Sequence, residues 1–265
     1  MNAEKYLARI GLENPVAIAD IYYLKLLQRQ HLLNVPFENL DIYWKRPIVL
    51  NTVAFYRKIV EENRGGFCYE LNGLFNELLA ASGFETRLLS ACVSDGKGGF
   101  SDEYDHLAIL VIIGEMQYVA DVGFGDFAAE PLQFTPGIEQ QDDTGTYMIR
   151  PLAAEYFEVA KMNGDEWKSE YKFKPFGHDL SEFTGMCEFH QTSPMSHFTK
   201  GKLCSLMTLD GRKTLTDSKF IVTVNGEKTE IPVDSEDGFN ELLFREFGIQ
   251  RPTPIVRQDE FSPVF

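Results

Sequence analysis

Positive charge is scarce in this chain. Its 265 residues carry 25 Lys and Arg against 40 Asp and Glu, a formal net charge of −15 at pH 7. Such a surface repels polyanions, which argues against DNA, RNA or an anionic membrane as a general partner. An anionic small molecule held at one local site remains compatible with it. Cysteine is scarce too: there are four, with no paired spacing, and the N-terminus does not read as a secretory leader. A reducing cytoplasm is the expected compartment. Long apolar runs are missing. The longest, Leu107 to Ile113, is far too short to span a bilayer. A P-loop and a Gly-x-Gly-x-x-Gly fingerprint after a strand are absent, as are internal repeats and low-complexity tracts. What remains is an ordinary globular composition, 44% apolar and 25% charged, long enough for one large or two to three small domains.

Against that background one stretch stands out, Arg64-Gly65-Gly66-Phe67-Cys68-Tyr69-Glu70-Leu71-Asn72. Two glycines remove side-chain bulk just before a cysteine and permit close backbone approach. After the cysteine, Leu71, Leu74, Phe75, Leu78 and Leu79 recur on one helical face, and Gly83 is a plausible stop. Cys68 is therefore expected at a helix N-terminus, where unpaired N–H groups and the dipole favour a thiolate. A buried structural cysteine is the plainer reading.

Taken in order, residues 1–83 read mostly as helix. Pro15 marks a turn or helix start, a helix runs from about Asp20 to Leu33, and Pro36 ends it. His31 reads as a helix-face histidine. Asn51 is an N-cap for a helix from about Thr52 to Glu62. From Phe84 the period shortens. A weak alternation through Val93 is followed by a glycine-rich loop at 94–105. The apolar strand Leu107–Ile113 turns at Gly114-Glu115 and returns from Gln117 to Val122. This hairpin brings His106 and Asp121 almost opposite each other, as needed for a carboxylate to orient an imidazole. Gly123-Phe124-Gly125 follows at once. Asn163-Gly164, Asp210-Gly211 and Asn225-Gly226 signal further hairpins. Strands are expected near 203–208, 212–216, 219–224 and 227–232, then a helix capped by Ser235 and ended by Gly248, and an extended tail with Pro252, Pro254 and Pro263. Helices, then strands, then strands with a helix make the class α+β. Cys187, His190, His197 and Cys204 include a Cys-x2-His pair, but their spacing matches no standard zinc motif, so no metal is expected.

The Arg64–Asn72 stretch resembles the signature of the arylamine N-acetyltransferases of bacterial type. Val35-Pro36-Phe37-Glu38-Asn39-Leu40, Asp105-His106-Leu107, Asp121-Val122-Gly123-Phe124-Gly125 and Thr192-Ser193-Pro194-Met195-Ser196-His197-Phe198 resemble further blocks of that family, in the family's order. The resemblance implies an N-terminal helical bundle (1–83) carrying the cysteine, a central antiparallel β-barrel (84–190) carrying the histidine and aspartate, and a C-terminal α/β lid (191–265). The first two would share the cysteine-peptidase catalytic core. It also implies a Cys68–His106–Asp121 triad, acetyl-CoA as co-substrate with no tightly bound cofactor, and an arylamine or arylhydrazine as acceptor, extending to aromatic hydroxylamines.

Acetyl transfer from a thioester needs the acyl group held while two substrates exchange, and a cysteine nucleophile divides the reaction into two easier steps. Donor and acceptor must then share one cleft. Phe37, Val93 and Phe124, apolar residues on the blocks that bear on it, are candidate acceptor walls. By resemblance CoA lies near Phe189, Ser196 and His197, and Lys200, Lys202, Arg212 and Lys213 are the nearest dense basic group for its phosphates. The runner-up is a cysteine peptidase or transglutaminase-like hydrolase using the same triad. A non-catalytic binder of aromatic xenobiotics is a third reading, and the intact triad argues against it.

Overall fold

The computed structural model describes residues 1–13 and 18–252. The turn at Pro15 and nearly all of the proline-bearing tail lie outside them. Side-chain caps start the first helices. Asn2 accepts the Lys5 N–H ahead of α1 (Ala3–Arg9), and Asp20 accepts that of Tyr23 ahead of α2 (Ile21–Asn34). Past Pro36 comes a two-residue strand, β1 (Phe37–Glu38), and one helical turn, α3 (Leu40–Tyr43). Asn51 caps α4 (Thr52–Tyr56) by accepting the N–H groups of Val53 and Ala54. The sequence predicts one helix on to Glu62, whereas α4 gives way to a π-helical turn at Arg57–Glu61. That turn keeps three consecutive residues, Lys58, Ile59 and Val60, buried, as such turns do where a helix must serve a local need. In α5 (Cys68–Ala81) the five apolar residues at the predicted spacing are all fully buried. Gly83, at φ +90°, lies just past its end.

Eight antiparallel strands follow: β2 (Glu85–Val93), β3 (His106–Ile113), β4 (Met116–Ala120), β5 (Leu132–Gln133), β6 (Glu139–Asp142), β7 (Gly145–Pro151), β8 (Phe157–Asn163) and β9 (Glu166–Phe173). Their order is β5-β4-β3-β2-β9-β8-β7-β6, a nearly closed barrel. Its two outer strands meet through one side chain. Gln140 accepts the Gln133 N–H at 2.6 Å and donates back to the Gln133 carbonyl at 2.9 Å. The continuous apolar run of β3 is explained by burial on both faces. Ile109 and Val111 pack on the helices with Leu74 and Phe75, whereas Ala108 and Leu110 fill the barrel with Tyr147 and Tyr171.

After α6 (Thr184–Thr192), a second antiparallel sheet contains β10 (Leu203–Thr208), β11 (Gly211–Thr216), β12 (Lys219–Val224) and β13 (Glu227–Pro232). Its turns fall at Asp210-Gly211 and Asn225-Gly226, as the sequence predicts. Ser235 caps α7 (Glu236–Phe247), and Gly248 ends it at φ +69°. The sheet order is β1-β10-β11-β12-β13, so its outer strand comes from the N-terminal segment. The Asn39 side chain fastens that junction, donating to the carbonyls of Phe198 and Gly201 and accepting the Leu203 N–H. The fold is α+β, and among the described residues no helix is long and apolar enough to cross a membrane.

Candidate active site

The glycines before Cys68 serve a close backbone crossing. A Cβ at Gly65 would lie 1.8 Å from the Pro36 carbonyl oxygen. Only glycine lets the β1 segment run alongside, where the Glu38 N–H bonds to the Gly66 carbonyl at 2.8 Å. Glu38 also belongs to a buried charge cluster. Arg64 lies 2.5 Å from Glu38 and 2.6 Å from Asp41, and Lys58 lies 2.8 Å from Glu70 and 2.9 Å from Asp41. Burial pushes the Glu70 carboxyl up, and Lys58 only partly offsets this. Burial acts likewise on Asp41, but there Lys58 and Arg64 together outweigh it and hold the carboxyl below its ordinary range. Glu70 further accepts the Phe67 N–H at 3.2 Å, which joins the cluster to the first turn of α5.

Cys68 heads α5 and is buried. The sequence predicts a lowered thiol pKa there. Instead burial pushes the thiol up, the Asp105 carboxylate adds to this, and the Leu107 backbone N–H only partly opposes them. The one backbone N–H that reaches the thiol therefore does not offset its burial. His106 opens β3, and Asp121 directly follows β4. Ile109 pairs with Ala120, so His106 and Asp121 stand diagonally on one face of the hairpin rather than directly opposed. Their side chains meet, His106 Nε2 to Asp121 Oδ2, at 2.7 Å.

The other oxygen of Asp121 is also occupied. Oδ1 accepts Asn72 Nδ2 and the Gly123 N–H, each at 2.8 Å. Asn72 additionally donates to the Leu107 carbonyl at 2.6 Å and accepts the Val122 N–H at 2.9 Å. It sits one helical turn beyond Cys68, so a single helix carries both the cysteine and the residue that holds the aspartate. The sequence reading gives Asn72 no role; its i+4 spacing from Cys68 is the signal that finds it. Gly123 closes the arrangement, since a Cβ there would lie 2.8 Å from Cys68 Cα.

A cavity of about 420 Å³ opens onto this group, within the usual size of small-molecule sites. Cys68 and His106 line it together with Phe37, Val93, Phe124 and Phe198. The Phe124 ring meets His106 edge-on at 5.0 Å. Asp121 stays behind the histidine, fully enclosed.

The comparisons with known proteins bear on this geometry. A family model described as N-acetyltransferase matches residues 20–256. This chain belongs to the arylamine N-acetyltransferase family. It is 28% identical over 281 residues to the arylamine N-acetyltransferase pineal gland isozyme of Gallus gallus, spanning 97% of each chain. The arylamine N-acetyltransferase structure from Salmonella typhimurium superposes with TM-score 0.89 at 28% identity, covering 96% of this chain and 93% of that one. A Mycobacterium marinum arylamine N-acetyltransferase solved in complex with CoA gives TM-score 0.85 at 26% identity, covering 94% and 93%. The enzyme class is acyltransferase, and acetyl transfer is the family's reaction.

Within this N-acetyltransferase the remaining predicted residues separate. His197 and Arg212 line the cavity, whereas Phe189 and Ser196 are not on its wall. Phe189 is half-exposed on α6. Ser196 is buried, bonded to His190 Nδ1 at 3.1 Å and capping the short turn at Phe198. Of the basic group, Lys202 is engaged by Asp217 and Glu236 and lies 4.0 Å over the Phe239 ring. Lys213 donates to the Glu246 carbonyl. The Cys187, His190, His197 and Cys204 set is dispersed: Cys204 packs in the core under α7 and Cys187 in the layer around Cys68. His190 instead holds Asp105 at 3.0 Å. Burial would raise Asp105, but its bonds from His190 and Ser101 outweigh this and keep it below the ordinary carboxyl range. His31 is not on the cavity wall; it sits in the helical core, donating to or accepting from Tyr6 at 2.9 Å, and burial pulls its pKa down to about 3.

Proposed function

We propose that this enzyme moves an acetyl group from acetyl-CoA to the nitrogen of an arylamine or arylhydrazine, and to the oxygen of aromatic hydroxylamines, through an acetyl-Cys68 intermediate. The observation that carries this reading is a cysteine at a helix start facing the same apolar cavity as a histidine whose Nε2 is held 2.7 Å from a buried aspartate. With Nε2 engaged, Nδ1 is the nitrogen left to take the thiol proton. The transfer gives a thiolate and an imidazolium, and Asp121 stabilises the latter. The thiolate attacks the acetyl carbon and the bond to the CoA sulfur breaks, the imidazolium protonating CoA as it leaves as a thiol. The amine then attacks the acetyl-cysteine, gives a proton to the imidazole, and the amide forms as the bond to Cys68 breaks. Backbone N–H groups at the start of α5 are suited to the transient oxyanion. Phe37, Val93 and Phe124 form the acceptor wall in this reading.

Residues 1–83, 84–190 and 191–265 act as bundle, barrel and lid, with CoA on the lid side near Phe189, Ser196 and His197. The enzyme works in the cytoplasm on small molecules, with acetyl-CoA as a co-substrate and no tightly held cofactor. Intact-mass measurement after incubation with acetyl-CoA alone tests the reading. One acetyl group, about 42 Da from atom counting, is expected on Cys68 and removable by an aromatic amine. No adduct, or an adduct on Cys92, Cys187 or Cys204, sinks it.

A further inference from the structure

Among the described residues, Arg212 is the only lysine or arginine on the cavity wall, and the reaction leaves it without a task. It projects from β11, and its guanidinium is bonded only to neutral groups: Nη1 to Ser205 Oγ at 3.1 Å and Nη2 to the Gly125 carbonyl at 2.6 Å. Among the described residues, no carboxylate comes within ion-pair distance of it. Asp126 also lines the cavity, but its side chain is largely exposed and faces Lys161 at 3.4 Å. Arg64, the guanidinium of the glycine loop, is treated differently: it has two carboxylates. Burial lowers the Arg212 pKa, and Asp126 only partly offsets this. A guanidinium stays charged at any physiological pH. It therefore holds an uncompensated positive charge against a wall otherwise dominated by Phe37, Phe124 and Phe198.

Such a charge is costly to enclose unless a counter-ion completes it. The planar fork matches a carboxylate in geometry, and two of its N–H directions are already fixed by Ser205 and Gly125. Resting on the acceptor reading above, we infer that Arg212 selects acceptors: the preferred substrate is an aromatic amine carrying a carboxylate on its ring. The ring lies among the phenylalanines that Arg212 shares with Cys68, and its carboxylate completes the guanidinium. The same cation would also suit a phosphate of the donor, and the two sources are separable because the acetylation half-reaction contains no amine.

The test compares 4-aminobenzoate with its neutral near-isostere 4-aminobenzamide, with acetyl-CoA as donor. The wild-type enzyme should favour 4-aminobenzoate in kcat/KM by at least tenfold, which corresponds to about 1.4 kcal/mol. In Arg212→Met the ratio of the two kcat/KM values should collapse towards one, and Arg212→Lys should restore part of it. Because Arg212 also holds the Gly125 carbonyl, a loosened Phe124 loop would slow both acceptors alike; the ratio cancels that effect. A wild-type preference for the amide, or a ratio unmoved in Arg212→Met, overturns the proposal. So does a loss confined to the rate of Cys68 acetylation by acetyl-CoA alone, which would assign Arg212 to the donor. Where Arg212→Met does not fold, Arg212→Lys carries the comparison, and a wild-type ratio at or below one still overturns the proposal. If no acetyl-Cys68 forms at all, the acetyl-transfer reading fails, and the proposal with it; both amines acetylated at equal kcat/KM defeats the Arg212 proposal alone.

Discussion

Asn72→Leu isolates what positions the aspartate. The side chains are close in volume, so the change removes polar contacts without opening a large cavity. Three bonds disappear: to Asp121 Oδ1, to the Leu107 carbonyl and from the Val122 N–H. The bond to ionised Asp121 is charge-assisted, worth about 1.5–3 kcal/mol, and an orphaned buried N–H at Val122 costs about 1–3 kcal/mol. Asp121 keeps the Gly123 N–H on the same oxygen, so it is weakened rather than stripped. The destabilisation should total about 2.5–6 kcal/mol, a large part of the roughly 5–15 kcal/mol that holds most proteins folded. For a chain of this length each kcal/mol is worth about 2–4 °C in Tm, so a fall of roughly 5 °C or more is expected. Catalysis should fall with it. A looser Asp121 orients His106 less well, and the acetylation rate of Cys68 should drop at least tenfold in protein that is still folded at the assay temperature. Differential scanning calorimetry and rapid-quench mass spectrometry read the two effects separately. A Tm within about 1 °C of wild type together with an unchanged acetylation rate would refute the reasoning.

The thiol gives a pH signature. Burial and Asp105 hold the Cys68 pKa up, so in His106→Gln alkylation by iodoacetamide should rise only above the ordinary thiol value of about 8.5; wild-type alkylation at pH 7 no faster than this variant's would remove His106 from the role of base. Gly123→Ala forces a Cβ to within 2.8 Å of Cys68 Cα. It should shift α5 against the barrel and cost at least tenfold in kcat/KM, and a fully active variant would show that the contact yields freely. Lys58→Met leaves Glu70 and Asp41 short of a cation in a buried site, a loss of about 3–5 kcal/mol by urea unfolding. In the wild type, Asp41 has a depressed carboxyl pKa. Its stabilisation is present above the unfolded value of about 3.9 and is lost as pH falls through the lower folded value. Lys58→Met should flatten that acid loss, and an unchanged acid limb would mean that Lys58 does not set it.

Much of this was readable because single residues act through local geometry. Asn51, Ser235 and Gly248 mark helix ends, and Asp210-Gly211 and Asn225-Gly226 mark turns, through bonds made within a few residues. Periodicity exposed the buried face of α5 in the same way. Strands β5, β6 and β7 went unread; β5 and β6 span only two and four residues, too short to show a period. The π-helical turn was hidden because a sequence window sees only a helix former at Lys58, while the carboxylates that Lys58 meets from this turn, Glu70, Asp41 and Glu38, lie in other segments. At the site the hairpin arithmetic brought His106 near Asp121, but not the diagonal offset. The thiol's surroundings were hidden for a related reason: a helix start is visible in sequence, whereas the enclosure of Cys68 and the nearness of Asp105 are tertiary facts.

The charge cluster shows why the nucleophile's segment can be so demanding. Each member comes from a different piece of chain: Glu38 from β1, Asp41 from α3, Lys58 from the π-helical turn, Arg64 from the glycine loop and Glu70 from α5. Burying five charges is not an efficient route to stability, since well-packed apolar side chains of equal volume often do as well or better. Apolar groups, however, tolerate sliding, and directional bonds between five segments do not. Sliding is what this site cannot accept. Phe37 lines the cavity one residue before Glu38, and Cys68 heads α5 two residues before Glu70. A shift of one residue in either segment would reverse or rotate the side chain that faces the cavity. The cluster therefore fixes the register of Phe37 against Cys68 at the cavity, which ties the odd helical turn, the paired glycines and the buried ions to one requirement.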